Sequence, residues 1–115
     1  MDIQEIAKLL EATFVTNEEQ AEMDVEFGFA SDLMSDVLTL KQADNVLLVT
    51  GLCNIQTIRT AEMAGVRAIL FARNKNATSE MIEIAQEEGL ILLQCKYSLF
   101  RTAGILYGKG LKSIY

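Results

Sequence analysis

The chain has 115 residues, half of them hydrophobic, with 10 Lys and Arg against 16 Asp and Glu. This length can bury the core of one domain over residues 1–115, and the net charge of −6 argues against a surface built to bind nucleic-acid phosphates. With no histidine and only two cysteines, the chain lacks the usual general base and the ligands of a zinc site, so we expect no metal and no cofactor. The apolar runs are far shorter than the about 20 residues of a membrane span, which predicts a cytoplasmic protein with no membrane partner.

The first predicted elements are a helix, a short strand and a second strand. Apolar residues among the first ten positions recur at helical spacing, with acidic residues in the first turn. A short strand at 13–16 is followed by an acidic, solvated connection. Val25, Phe27 and Phe29 then alternate with polar or small residues, which is the period of a half-buried strand.

A helix is predicted after this second strand. Ser31 or Asp32 is suited to cap it, because a short polar side chain can accept hydrogen bonds from the free N–H groups of the first turn. Its inward face is expected to consist of Leu33, Met34, Val37 and Leu38.

Three tandem βα units are predicted from residue 44 onward. The runs 46–49, 68–71 and 90–93 are continuously apolar, and each precedes a polar turn and a segment of helical period. Continuous hydrophobicity indicates strands that are covered on both faces, as in parallel sheets with right-handed crossovers. We therefore predict an α/β fold with a mainly parallel sheet, an N-terminal helix and a strand–helix segment. Val49, Leu70 and Leu92 should be nearly inaccessible.

The last helix and the tail complete the chain. The inward face of this helix is expected to consist of Leu99, Phe100, Ala103, Leu106 and Tyr107. The tail over 109–115 contains two lysines and large apolar residues, so we expect it to fray or to pack on a partner chain.

Ligands of parallel α/β sheets bind beyond the carboxyl ends of the strands, next to helix N-termini. In the first such turn, Thr50, Gly51 and Asn54 could form an anion or phosphate site, although an ordinary strand–helix turn with a cap explains them more simply. The second turn, 74–79, has Arg73 and Lys75 as possible partners of an acidic ligand, against the plainer interpretation of a solvated loop. The third turn, 96–98, has no distinctive feature.

Cys53 and Arg59 have the spacing of the phosphate loop of cysteine-dependent phosphatases. In such a loop the thiolate attacks phosphorus, while backbone N–H groups and the arginine bind the oxygens. Ile55 and Ile58, however, fall on the apolar face of the predicted helix, and β-branched residues disfavour the positive φ angles that the loop needs. A cysteine in the core or at the helix start is the favoured interpretation, with a phosphatase as the alternative.

Asp32 and Asp36 are separated by one helical turn, with Ser31 and Ser35 beside them. A paired-carboxylate or cation site is conceivable there. Acidic residues at a helix start are also favoured by the helix dipole, so capping and solvation explain the pair more simply.

The segment 27–37, the three βα units and the ending 98–107 together resemble the stand-alone members of the DRTGG-domain family, over nearly the whole chain. Related domains occur in CBS-domain pyrophosphatases and long phosphotransacetylases, and the N-terminal domain of the serine kinase of the phosphocarrier HPr is similar in fold. The match depends on Gly28, Ser31, Asp32, Ser35 and Asp36. The resemblance implies a regulatory or ligand-sensing module that commonly dimerises, without established catalysis of its own.

The leading hypothesis is a non-enzymatic regulatory or ligand-sensing module that binds a small anionic ligand such as a nucleotide, or a protein partner. Its predicted ligand-binding residues are Gly28, Ser31, Asp32, Ser35, Asp36, Thr50, Gly51 and Asn54. The alternatives are a cysteine phosphatase and a purely structural interaction subunit. A homodimer is also predicted, because several large apolar residues remain after the three βα units have covered their sheet. These residues are Phe27, Phe29, Leu111, Ile114 and Tyr115.

Overall fold

The computed structural model describes residues 1–115 and contains six strands and five α-helices. The strands are β1 Thr13–Thr16, β2 Phe27–Ala30, β3 Val46–Thr50, β4 Ala68–Phe71, β5 Ile91–Gln94 and β6 Lys112–Ser113. The α-helices are α1 Ile3–Leu10, α2 Met34–Val37, α3 Ile55–Ala64, α4 Ser79–Glu88 and α5 Leu99–Gly108. No helix is both long and apolar enough to cross a membrane.

The strands form one mainly parallel sheet in the order β1-β5-β4-β3-β2-β6. Only β1 runs antiparallel to its neighbour, β5. The other neighbours pair in parallel, and β3 and β4 join over four residue pairs from Leu47–Ala68 to Thr50–Phe71. The predicted α/β class, its three βα units and its mainly parallel sheet are confirmed.

Helices cover both faces of this sheet. Leu47 packs with α1 and α5 on one face, whereas Leu48 packs with α2, α3 and α4 on the other. Because neighbouring residues of a strand point to opposite faces, two covered faces require the continuous apolar runs of the sequence. Val49, Leu70 and Leu92 are 2%, 0% and 0% exposed, as predicted.

Helices α3 and α4 have residues at both ends that suit a helix terminus. The side chains of Asn54 and Thr78 accept hydrogen bonds from the backbone N–H groups of Thr57 and Met81, and so cap the two N-termini. Gly65 and Gly89 end the same helices with φ angles of 82° and 70°, a region in which glycine has no steric cost.

Helix α2 is shorter than expected, and its predicted inward face is partly wrong. It consists of a single turn in which Met34 and Val37 are buried, while Leu33 is 57% and Leu38 is 50% exposed. One turn can direct only one narrow side of the helix at the core. The residues on either side of the turn therefore remain in solvent.

The predicted inward face of α5 is also partly wrong. Thr102 and Leu106 are buried, whereas Phe100 is 90% and Tyr107 is 70% exposed. Successive helical residues are rotated by about 100°, so the apolar sequence of α5 surrounds much of the helix while only one side meets the sheet. The predicted face was too wide.

The alternation that predicted β2 does not extend to Val25. Phe27 and Phe29 pack toward the face of α2 and α3, but Val25 lies in the core of the opposite face. The strand begins at Phe27. Before it, the backbone N–H of Val25 donates to the carbonyl of Met1, so this residue follows the N-terminal segment and not the sheet.

The tail packs on its own chain, whereas the sequence predicts that it frays or packs on a partner chain. It forms β6, which pairs with β2, and Leu111 is only 4% exposed. A Cβ atom at Gly28 would lie 2.9 Å from Cδ2 of Leu111, so the glycine makes room for this side chain. The ring of Tyr115 lies edge-on to that of Phe29, with 6.1 Å between the centroids.

Candidate functional site

The turn after β3 is held by the carboxylate of Asp32. The Oδ1 atom of Asp32 accepts hydrogen bonds from Thr50 Oγ1 at 2.9 Å and from the backbone N–H of Gly51 at 2.7 Å. Thr50 is fully buried, and its hydroxyl in turn accepts from the backbone N–H of Leu52. Three predicted site residues therefore meet, but their polar atoms bond to one another.

Asn54 lies next to this turn as the cap of α3. Its Oδ1 accepts from the backbone N–H of Thr57 at 2.9 Å, and the Thr57 hydroxyl donates to the carbonyl of Leu52 at 2.7 Å. These bonds fix the start of the helix. The side-chain oxygen of Asn54 therefore serves as the cap of the helix.

The other predicted residues lie outside this hydrogen-bonded cluster. Ser31 does not cap α2, because its Oγ accepts from the N–H of Leu33 in a local turn that precedes the helix. Ser35 and Asp36 are exposed on α2, and Asp32 precedes this helix, so the two aspartates do not form a pair on one helical face. Gly28 lies beneath Leu111.

The geometry around Cys53 differs from that of a phosphatase loop. Helix α3 begins at Ile55, so most residues between Cys53 and Arg59 are helical, and Arg59 is exposed. Burial raises the pKa of the Cys53 thiol above its ordinary value, and the nearby charge of Lys75 only partly opposes this shift. A nucleophilic thiolate needs a lowered pKa, so the structure does not support this alternative.

A second polar region lies beyond the carboxyl ends of β4 and β5, where the next helices pack on opposite faces of the sheet. Helix α4 follows β4 on one face and α5 follows β5 on the other, so the loops that leave these neighbouring strands diverge. Such a divergence opens a crevice beyond the carboxyl ends of the strands. Here it is a cavity of about 220 Å³, which we call the reversal crevice. It is lined by Glu11, Thr13, Asn74, Lys75, Asn76, Gln94, Cys95 and Lys96.

The floor of the reversal crevice is held by two backbone hydrogen bonds between the loops. The N–H of Arg73 donates to the carbonyl of Tyr97 at 2.7 Å, and the N–H of Asn74 donates to that of Cys95 at 2.9 Å. Arg73 and Asn74 have φ angles of 66° and 59°, which residues with a side chain seldom adopt. The two loops are thus joined in one defined conformation.

The reversal crevice has a positive charge in an acidic protein. Its lining contains two lysines, Lys75 and Lys96, and one carboxylate, Glu11, which gives +1, whereas the whole chain has −6. Lys75 is half-buried. The Oε2 atom of Glu11 accepts from the Tyr97 hydroxyl at 2.7 Å, a hydrogen bond that raises the pKa of Tyr97 above its ordinary value. One oxygen of the only carboxylate is therefore already engaged.

The sequence pointed to part of this crevice. The sequence indicates the turn at 74–79 and the charge of Lys75 as a possible site for an acidic ligand, but it does not connect Gln94, Lys96 and Glu11 with this turn. The signal that could have found them is topological, because β5 is the last strand of the βα series and the next helix must return over the other face.

An apolar groove lies beside α5, on the face of the sheet that α1 also covers. The small residues Gly28 and Ala30 of β2 line this groove, which has a volume of about 260 Å³. Its other lining residues are Phe29, Val49, Ala103, Leu106, Tyr107, Leu111, Lys112 and Ser113.

The fold and the reversal crevice define an α/β domain with helices on both faces of its sheet. No family model and no curated protein matches the chain. Among solved structures, it is similar to the CBS and DRTGG domains of the regulatory region of a Clostridium perfringens pyrophosphatase, which was solved with its activator, diadenosine tetraphosphate. The TM-score is 0.75 at 11% identity, over 91% of this chain and 45% of that chain. The chain thus spans less than half of that regulatory region, and the likeness supports the DRTGG-like fold that the sequence predicted.

Proposed function

We propose that the chain is a non-enzymatic, ligand-sensing regulatory module that binds a small anionic ligand, such as a nucleotide, in the reversal crevice. The observation that carries this proposal is a positively charged cavity at the reversal point of an acidic α/β protein. Crevices of this kind are where ligands of such sheets bind. A local positive field in a protein of opposite net charge favours an anion there over the rest of the surface.

The reversal crevice suits an anion better than the turn after β3 does. An anion at Gly51 would meet the carboxylate of Asp32, whose Oδ2 would lie 3.5 Å from a Cβ atom at this glycine. In the reversal crevice, an anion would instead meet the half-buried side chain of Lys75 and that of Lys96. Opposite charges attract the ligand there, whereas the Asp32 carboxylate would repel it.

A regulatory role is supported by the similarity to a pyrophosphatase region that binds a nucleotide activator. An enzymatic role has weaker support, because the one nucleophile candidate, Cys53, has a raised pKa and no arginine folded around it. The module would act by changing its stability or its contacts when the ligand binds.

The test is a thermal-shift and calorimetric titration with AMP and inorganic phosphate. A ligand that binds only the folded state stabilises it by about 2.7 kcal/mol at 100 times its Kd, which for a domain of this size is a rise of several degrees in Tm. We expect Lys75→Gln to abolish the rise. Lys41→Gln removes the same charge from an exposed position before β3, at the other end of the sheet, and should leave the rise intact. No saturable binding to the wild-type chain contradicts the proposal.

A second candidate function is assembly through α5, as a homodimer or with another protein. Of the residues that suggest a dimer in the sequence, Leu111 is buried, and Tyr115 lies against Phe29 but is 82% exposed. The large apolar side chains left in solvent on α5 are Phe100 and Tyr107, of which Tyr107 lines the apolar groove. Such a surface on one side of a helix is typical of an interaction site.

Sedimentation equilibrium tests this second candidate. We expect a dimer mass at micromolar concentration for the wild-type chain and a monomer mass for Phe100→Ser combined with Tyr107→Ser. The control is Met63→Ser on α3, because the Met63 side chain is 75% exposed. This change should leave the dimer intact. A monomeric wild-type chain rules out the homodimer.

A further inference from the structure

We propose that Asn76 and Gln94 make the reversal crevice selective for a phosphate group by presenting N–H donors that the backbone holds in orientation. This inference rests on the proposed function and names the ligand class of the same site. Asn76 and Gln94 are 18 positions apart in the sequence and meet only in the fold.

The orientation of the Gln94 amide is set by its neighbours. The backbone N–H of Ala77 donates to Gln94 Oε1 at 3.2 Å, so the oxygen of this amide faces the loop after β4. The Nε2 atom of Gln94 then donates to Asn76 Oδ1 at 3.1 Å. One backbone N–H group thereby fixes which atom of each amide is the donor.

These two hydrogen bonds leave N–H donors of both amides available to a ligand. The oxygen of each of the two amides already accepts a hydrogen bond, while both N–H groups of Asn76 Nδ2 and one of Gln94 Nε2 have no protein partner. Both residues line the reversal crevice beside Lys75 and Lys96. A ligand there meets unpaired donors from two amides and two ammonium groups.

A phosphate monoester fits this set of groups. Its oxygens are strong acceptors, and its charge near neutral pH is between about −1.5 and −2. The net +1 of the crevice attracts this charge more strongly than the single charge of a carboxylate. A ligand group that can only donate would leave the amide N–H groups unpaired. Free phosphate and the phosphate of a nucleotide share this chemistry, and the titrations below distinguish them.

The experiment is isothermal titration of the full chain with inorganic phosphate, AMP and acetate, using Asn76→Ala and Asn76→Asp. Removal of the Asn76 donors should weaken phosphate binding by about tenfold, the value of one charge-assisted hydrogen bond. Asn76→Asp keeps an acceptor for Gln94 but replaces the donors by a negative charge, so the loss should be larger. Gln86→Glu introduces the same charge on the exposed C-terminal half of α4 and should change the affinity less than twofold.

The outcomes separate this inference from the proposed function. Wild-type binding of phosphate or AMP with loss in both Asn76 variants supports it, and tighter binding of AMP than of phosphate identifies a nucleotide as the source. Unchanged affinity in both variants, or acetate bound as tightly as phosphate, overturns the selectivity while the anion site remains. A wild-type chain that binds neither phosphate nor AMP overturns both proposals. Equal Tm values of the unliganded variants verify that they are folded.

Discussion

Replacement of Asp32 by alanine should destabilise the fold, although Asp32 is exposed and looks like a binding residue in the sequence. The change removes the acceptor of two hydrogen bonds, from Thr50 Oγ1 and from the N–H of Gly51. Water can replace the carboxylate at the exposed Gly51 N–H, but Thr50 is fully buried and its hydroxyl loses its acceptor. A buried donor without a partner costs about 1–3 kcal/mol, so we expect Asp32→Ala to lower the free energy of unfolding by about 2 kcal/mol.

Urea denaturation followed by circular dichroism measures this loss. Asp32→Asn should cost less than about 1 kcal/mol, because an amide oxygen can still accept both hydrogen bonds. Asp36→Ala is the matched control, since Asp36 is exposed on α2, and surface changes of this kind alter stability by about 0.5 kcal/mol or less. If Asp32→Ala and Asp36→Ala cost the same, the Asp32 carboxylate does not hold the turn and the structural account of this residue is wrong.

Three further predictions concern the core, the thiol and the turn. Leu70→Ala should lower the free energy of unfolding by about 2–5 kcal/mol in the same assay, because this side chain is fully buried in β4 and its removal leaves a cavity. A decrease below about 1 kcal/mol contradicts the assigned register. Because the pKa of Cys53 is raised, its alkylation by iodoacetamide should be slow near pH 7 and accelerate only at alkaline pH. Lys75→Gln should slow the reaction further, since the charge of Lys75 lowers this pKa. Fast alkylation near pH 6 refutes the prediction. Gly51→Ala should be nearly neutral in stability, since its Cβ atom would make only ordinary contacts with Asp32 at 3.5 Å or more.

The layered architecture could be predicted because each βα unit repeats the same local signals. The runs around Leu48, Leu70 and Leu92 are continuously apolar, which two-sided burial requires. Gly65 and Gly89 also end their helices as local chemistry demands. These features depend on residues that are close in sequence, so they can be recognised without the fold.

The parts that were predicted wrongly depend on which side of an element meets the sheet. Phe100 and Leu106 are equally apolar in the sequence, yet one is 90% and the other 2% exposed, because α5 covers the sheet with only one side. The tail is a similar case. Leu111 finds its place only because Gly28, 83 positions earlier, leaves a space in the neighbouring strand.

The candidate site could be predicted only in part for the same reason. Thr50, Gly51 and Asp32 do come together after β2 and β3, but the sequence does not show that they satisfy one another. The reversal crevice combines residues from Glu11 to Lys96. The crevice forms because of the order of the strands and because α4 and α5 lie on opposite faces of the sheet. A local sequence pattern indicates neither of these features.

The most direct test of the reversal crevice is an NMR titration of ¹⁵N-labelled protein with AMP and inorganic phosphate. If the crevice is the anion site, the backbone amide signals of residues 73–77 and 94–97 should shift saturably. The same signals should not shift in Lys75→Gln. Shifts confined to residues 31–36 and 50–54, or no saturable shift with either ligand, would contradict the assignment of the site to the reversal crevice.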